Sequence, residues 1–232
     1  MIVYGKNSVY EYLKKNKKVK KLYLDYNFSD KSIISLIEKL KIDPIFHTKQ
    51  ELDEFANENH QGIIIDVGEF EYSNLDDILK EENGLIVILD HLEDTHNFGA
   101  IIRTCVAAGV DGIIIPKDRS VSVNSTVMKT SVGMALNINI AMVTNLNQTI
   151  NYLKDKNYWI YSSDMSNTKY TEISYASNTV IVIGNEGKGV SDLVKKSSDY
   201  VISIPMNEKV ESLNASVATG IILYEVVRQR SK

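Results

Sequence analysis

The sequence predicts an α/β protein in two parts: a small alternating module over residues 1–68 and a larger parallel-sheet domain over 84–232. Leu85–Leu89 is a continuous apolar run and Thr179–Ile183 a second buried strand, as a parallel sheet covered on both faces requires. Strand patterns also alternate with helical ones on both sides of an acidic, aromatic stretch from Gly68 to Asn83, which reads as a linker over residues 69–83.

In the first part, Asn7 or Ser8 is expected to cap a short helix through Leu13, with Val9, Tyr12 and Leu13 inside. Val19–Leu24 reads as a strand. Asp30 starts a helix ending near Lys41, because Ile33, Ile34, Ile37 and Leu40 recur at helical spacing. Pro44–His47 is a short strand, Gln50–Asn57 a helix and Gly62–Val67 an apolar strand. His47 and His60 have no partners at metal-ligand spacing, so structural roles are expected.

In the second part, a loop after Leu89 leads to a helix that opens at Asn97, a natural cap, and closes at Gly109. Ile102, Cys105, Val106 and Gly109 form its buried stripe. Arg103 sits beside that stripe near the helix N-terminus, where the macrodipole disfavours a cation, and Gly99 clears space one turn earlier. An anionic substrate group is the simplest reason for the guanidinium. Gly112–Ile115 is a strand ended by Pro116, Thr126–Ala135 a helix, Ile138–Val143 a strand, Leu146–Lys156 a helix and Tyr158–Ser162 a strand. Asp164–Ser177 is polar loop.

Thr179–Ile183 runs into Gly184-Asn185-Glu186-Gly187-Lys188-Gly189. A phosphate-cradling loop fails here because Val190 follows Gly189, and a dinucleotide fingerprint fails because Asp192 stands where a third glycine belongs. A structural turn and a ligand loop both remain open. The last strand, Tyr200–Ile204, passes through Pro205-Met206 to a helix over Ala215–Arg230. Ser212 and Asn214 are both good caps, and a simple connector needs only one polar residue there, not Ser212, Asn214 and Ser216 together. Three polar strand-to-helix joints in one sheet suggest a single site beyond the carboxyl ends of the strands.

Composition narrows the classes. Of 232 residues, 44% are hydrophobic and 24% charged, ordinary for a soluble domain pair. A single cysteine, Cys105, excludes an internal disulfide and a cysteine metal cluster, so a reducing, cytosolic setting is expected. No leader, membrane span or metal is expected. Net charge of −4 argues against a protein that coats nucleic acid everywhere. Yet Lys14, Lys15, Lys17, Lys18, Lys20 and Lys21 form one dense block, either a solvated face or a phosphate-contacting patch.

Together the three joints resemble the motifs of the SpoU/TrmH class of SPOUT RNA ribose 2′-O-methyltransferases. Asn97-Phe98-Gly99-Ala100-Ile101-Ile102-Arg103 matches the first motif and Ile183–Gly189 the second. Ile204-Pro205-Met206 with Ser212-Leu213-Asn214-Ala215-Ser216-Val217-Ala218 matches the third. The opening Tyr4-Gly5-Lys6-Asn7-Ser8-Val9 and His60-Gln61-Gly62 look like the N-terminal domain of the RlmB branch, which methylates a guanosine of 23S ribosomal RNA.

The resemblance implies a SPOUT domain with a deep trefoil knot, an L30e-like RNA-binding domain before it, and a homodimer. It also implies S-adenosyl-L-methionine as cofactor, held around Gly184, Gly187, Ile204, Met206, Leu213, Asn214 and Ser216. Arg103 would activate the ribose hydroxyl, with Asn97, Glu186, Ser212 and Asn214 positioning the reactants. A guanidinium does not deprotonate near neutral pH, so Arg103 would stabilise the alkoxide or orient an RNA phosphate. Thr95 stands where relatives commonly have proline, and Leu136 where they often have glutamate. A transfer-RNA or resistance-type ribosomal RNA ribose methyltransferase, and a non-catalytic RNA-binding ribosome-assembly factor, are the alternatives.

Overall fold

Two sheets of opposite character organise the chain, each in its own compact unit. The computed structural model describes residues 1–56, 59–210 and 212–231. One unit comprises Met1–Glu71 with Ser122–Asn137, the other Tyr72–Val121 with Ile138–Lys232. The structure thus groups 122–137 with the N-terminal unit, although the sequence pattern ran 84–232 as one stretch.

The first unit holds a four-stranded mixed sheet of β1 (Ile2–Tyr4), β2 (Lys21–Asp25), β3 (Ile45–His47) and β4 (Ile63–Asp66), in the order β1-β4-β2-β3. The helices α1 (Lys6–Lys14), α2 (Lys31–Lys39) and α3 (Lys49–Phe55) connect its strands. Neither Asn7 nor Ser8 caps α1. Gly5 does, at φ 85, a left-handed conformation that glycine takes without a Cβ clash. Ser8 lies buried inside α1 and donates to the Met128 carbonyl at 3.1 Å. Asp30 caps α2 as expected, its carboxylate accepting from Ser32 and Ile33 N–H. Thr48 and Glu51 close a reciprocal capping box on α3, and the expected end of that helix at Asn57 lies outside the described residues. His60 is structural: Nε2 meets Asp53 at 2.9 Å, and Nδ1 accepts from Gly62 N–H at 3.0 Å.

The segment Ser122–Asn137 supplies α5 (Ser125–Thr130) and a short 3-10 turn, Met134–Leu136. One continuous helix was expected over Thr126–Ala135. The chain breaks instead at Val132 (φ 56) and Gly133 (φ 79), two left-handed residues in succession that no helix accommodates.

The second unit is a six-stranded sheet, parallel throughout. It contains β5 (Leu85–Asp90), β6 (Gly112–Pro116), β7 (Asn139–Val143), β8 (Trp159–Ser163), β9 (Thr179–Gly184) and β10 (Tyr200–Ile202), in the order β10-β8-β9-β5-β6-β7. Every residue of β5 is buried, as its unbroken apolar run requires of a central strand. Ile86 and Ile88 face a core completed by Ile150 and Leu153 of α6 (Leu146–Asp155) and Val194 of α7 (Asp192–Ser197). Burying each such side chain contributes roughly 1.5–3 kcal/mol. The helix α4 (Thr95–Ala108) packs along α8 (Ala215–Arg230), which packs on β9. The sequence pattern did not reveal α7; its six residues are too few for a periodicity to emerge.

Candidate active site

Because the sheet is parallel, all its carboxyl ends lie on one edge. Asp90 pairs with Gly184, Ile183 with Ser163 and Ser163 with Ile202, so the loops after β5, β9, β8 and β10 leave the sheet side by side. The polar joints singled out in the sequence start from that edge.

The helix α4 begins two residues earlier than expected, which changes what Asn97 does. Asp94, not Asn97, is the cap: its carboxylate accepts from His96 N–H at 2.6 Å and Asn97 N–H at 3.3 Å. Thr95 occupies the first helical position, where proline is readily tolerated because the N–H there has no intrahelical partner. With the cap supplied elsewhere, the Asn97 side chain is left to point across the site. Its Nδ2 donates to Glu186 Oε1 at 3.0 Å, and its Oδ1 accepts from Asn214 Nδ2 at 2.8 Å.

Asn214 in turn caps α8. Its Oδ1 accepts from Ser216 N–H at 2.9 Å, Ser216 Oγ at 2.6 Å and Val217 N–H at 3.4 Å. These bonds fix every amide orientation in the series: the helix N–H groups demand the Asn214 oxygen, leaving its nitrogen for Asn97. Asn97 must then offer oxygen to Asn214 and nitrogen to Glu186, whose carboxylate only accepts. Three loops are thereby joined by one hydrogen-bonded chain, Glu186–Asn97–Asn214–Ser216.

The loop carrying Glu186 is a closed structure. Asn185 and Gly189 exchange backbone hydrogen bonds of 3.0 and 2.8 Å, and Asn185 Oδ1 accepts from Gly187 N–H at 2.9 Å and Lys188 N–H at 3.3 Å. A Cβ on Gly184 would sit 2.1 Å from the Gly189 carbonyl carbon and 2.3 Å from Val190 N, so only glycine lets the loop fold back over β9. Asp90, 1% exposed at the end of β5, anchors the far side by accepting from Ser191 N–H at 2.7 Å, and its other oxygen meets His91 Nδ1 at 2.6 Å. Asn185 Nδ2 closes the frame on the His91 carbonyl at 2.8 Å. The sequence analysis missed Asp90, Asp94 and Asn185. Asp90 carried a legible sign, a carboxylate ending a strand buried on both faces.

The remaining expected residues take no part in that hydrogen-bonded chain. Because α4 starts at Thr95, Arg103 falls in the second half of the helix rather than near its N-terminus as expected, so the helix dipole does not single it out. It is exposed and makes no hydrogen bond or ion pair among the described residues. Its neighbour Thr104 lies against Gly220 of α8. Ser212 is exposed, Leu213 half-buried, and Met206 39% exposed. Among the described residues, no hydrogen bond ends on the backbone groups of Ile204, Met206 or Leu213. No group of three His, Cys, Asp or Glu among the described residues is placed to hold a metal ion, and no described helix is long and apolar enough to cross a membrane.

Comparison with known proteins accounts for the whole chain. Residues 84–224 match the SpoU rRNA Methylase family, and residues 2–73 match the model for RNA 2′-O ribose methyltransferase substrate binding. YacO of Bacillus subtilis (strain 168), named for the TrmH family of tRNA/rRNA methyltransferases, is 40% identical over 99% of this chain and 96% of its own. Among solved structures, the SpoU methyltransferase AviRb from Streptomyces viridochromogenes in complex with AdoMet superposes with a TM-score of 0.89. It is 25% identical and matches 100% of this chain and 91% of its own. The AdoMet-bound rRNA methyltransferase from Sinorhizobium meliloti gives 0.84, also at 25% identity, over 98% of this chain and 86% of its own. The residues that the hydrogen-bonded chain draws together fall inside the matched catalytic segment, and by that match the protein belongs to the SpoU rRNA Methylase family.

Proposed function

We propose that the protein transfers a methyl group from S-adenosyl-L-methionine to a ribose 2′-oxygen of RNA, with a guanosine of 23S ribosomal RNA as target. The observation that carries this is the Glu186–Asn97–Asn214 chain, which fixes three loops at one sheet edge. The site fits the cofactor. Open backbone groups at Ile204, Met206 and Leu213 suit the donors and acceptors of a purine and its ribose, and the Glu186 carboxylate suits a sulfonium charge. When bound, the cofactor supplies an already activated methyl group, so the protein has only to position, deprotonate and exclude water.

The chain's own residues divide those tasks. Gly184 lets the loop fold tightly enough to present backbone rather than side chain, and Gly187 keeps its rim open. Ser216 and Asn214 fix the start of α8, and Asn97 relays that position to Glu186. Ser212 and Arg103 remain available to the RNA. Arg103 stabilises the developing alkoxide or holds a phosphate beside it, since its guanidinium stays charged.

The same reading includes residues 1–68 as an L30e-like RNA-binding domain, the trefoil knot, a cytoplasmic location and a homodimer. Val217 and Tyr224, each about half exposed on α8 (50% and 51%), support a covered helix face. Two experiments test the proposal. Mapping alkali-resistant ribose positions in ribosomal and transfer RNA, with and without the gene, should show one guanosine of 23S RNA losing protection. A change confined to transfer RNA would replace the target and keep the chemistry. Arg103→Ala should bind S-adenosylmethionine normally yet lose roughly 100-fold or more in turnover, the usual cost of one transition-state donor. Undiminished turnover would remove Arg103 from the reaction.

A further inference from the structure

The lysine block belongs to the N-terminal unit, outside the three loops joined through Asn97, and the structure gives it a defined surface. Lys14 ends α1 and Lys15 is its C-cap, where cations suit the helix dipole, so helix stability accounts for these two. It does not account for Lys17, Lys18, Lys20 and Lys21, which lie beyond the helix. Asn16 turns the chain at φ 51, and two backbone anchors hold the turn. Tyr12 Oη donates to the Lys18 carbonyl at 3.1 Å, and Lys20 N–H donates to the Asp66 carbonyl at 2.8 Å. The lysines therefore project from a fixed backbone rather than a loose loop.

Lys17, Lys18 and Lys20 line a cleft of about 430 Å³ together with Tyr12, Phe70 and Leu136. The acids on its wall are Glu69 and Glu71, and the one ion pair they make with the block among the described residues, Lys17 to Glu71, is long at 3.9 Å, with Glu71 88% exposed. A pair so exposed is worth little and is easily exchanged for another anion. Lys14, Lys15, Lys18, Lys20 and Lys21 make no ion pair among the described residues. A second cleft of this unit, about 650 Å³, sets Lys6 and Lys49 against Asp25 and Asp53 and so offers no comparable excess of positive charge.

We infer that the Lys17–Lys18–Lys20 cleft is a phosphate-backbone contact for the RNA substrate. It is read by charge rather than sequence, with Phe70 as an apolar wall for a base or ribose. The inference rests on the proposed RNA substrate and adds where the N-terminal unit grips it. In a chain of net charge −4, such a local patch draws RNA to one face without coating it. Leu136 contributes by leaving the cleft without a further carboxylate.

The test is fluorescence anisotropy with a labelled 20-nucleotide polyuridylate, which offers phosphates and no fold, titrated over a range of salt concentrations with the full-length protein. Three released contacts on a single strand should lower the slope of log affinity against log salt by about 2, and affinity at 0.1 M salt by roughly 100-fold. That is the result expected of Lys17→Ala/Lys18→Ala/Lys20→Ala, with S-adenosylmethionine binding unchanged. Lys14→Ala/Lys15→Ala should leave the slope near wild type, and Leu136→Glu alone should weaken binding about 5-fold, as one contact is worth at 0.1 M salt. Lys18→Glu provides a single-site check should the triple variant fold poorly. An unchanged slope in the triple variant, or an equal loss in Lys14→Ala/Lys15→Ala, overturns the cleft while leaving the methyltransferase reading intact. Wild-type protein that binds no polyuridylate at low salt likewise overturns the cleft, whereas the methyltransferase reading falls only if S-adenosylmethionine binding is also absent.

Discussion

Asn97 does the most with the least side chain. Its amide bridges a carboxylate on one loop and the capping residue of another helix, with 3.0 and 2.8 Å contacts whose polarity the surrounding acceptors dictate. Because the site is solvent-accessible, Asn97→Ala would let water replace both partners, and the stability loss should stay near the 0.5–1.5 kcal/mol of an ordinary hydrogen bond. Turnover should suffer more, by about 10- to 100-fold, since a small misplacement of a reacting group is costly. Urea unfolding alongside single-turnover methylation separates the two effects. A variant that loses stability and activity in equal measure would make Asn97 merely structural. Asn97→Asp should be worse than alanine for activity, because it sets two carboxylates against each other.

At the scale of elements, helix caps decide which side chains reach the site. Asp94 accepts from two N–H groups of α4, and Asn214 from two of α8, so each helix starts at a residue hydrogen-bonded to Asn97. The Asp94 cap is predicted to contribute about 1 kcal/mol. Asp94→Ala should lower the urea midpoint accordingly, whereas Asp94→Asn, also a good cap, should stay within a few tenths of a kcal/mol of wild type. Equal destabilisation by both would point to the charge rather than the hydrogen bonds. The Gly184–Gly189 loop shows the opposite economy: its shape comes from Asn185, Asp90 and the absence of a Cβ, with the exposed Glu186 carried on top.

Across the whole molecule, Cys105 offers a natural reporter. It is fully buried on α4, and burial pushes its thiol pKa up, so the native protein holds it protonated and shielded. Maleimide labelling in native buffer should run roughly 1,000-fold slower than in denaturant, the protection given by an opening free energy of about 4 kcal/mol. S-adenosylmethionine at 100 times its dissociation constant should slow labelling about 100-fold further, because a ligand that binds only the native state adds about 2.7 kcal/mol. No effect of the cofactor would mean that α4 opens without disturbing the binding site. Much of this architecture was settled by local chemistry in the sequence. Leu85–Leu89 had to be a central strand because an unbroken apolar run can be buried only between two layers, and Asp30 and Gly109 marked helix ends by their own capping and left-handed preferences. The three polar joints also stood out in the sequence, since no connector needs so many hydrogen-bonding side chains. What folding alone decided was who bonds whom. Asn97 looked like a cap until Asp94 took that role, and Ser8 looked like one until it was buried against Met128. Residues 122–137 joined the first unit, though they lie in sequence among the strands of the second. A cap is a competition among neighbouring side chains for the same N–H groups, and a packing partner can lie a hundred residues away; both are settled by geometry that only the closed sheet supplies.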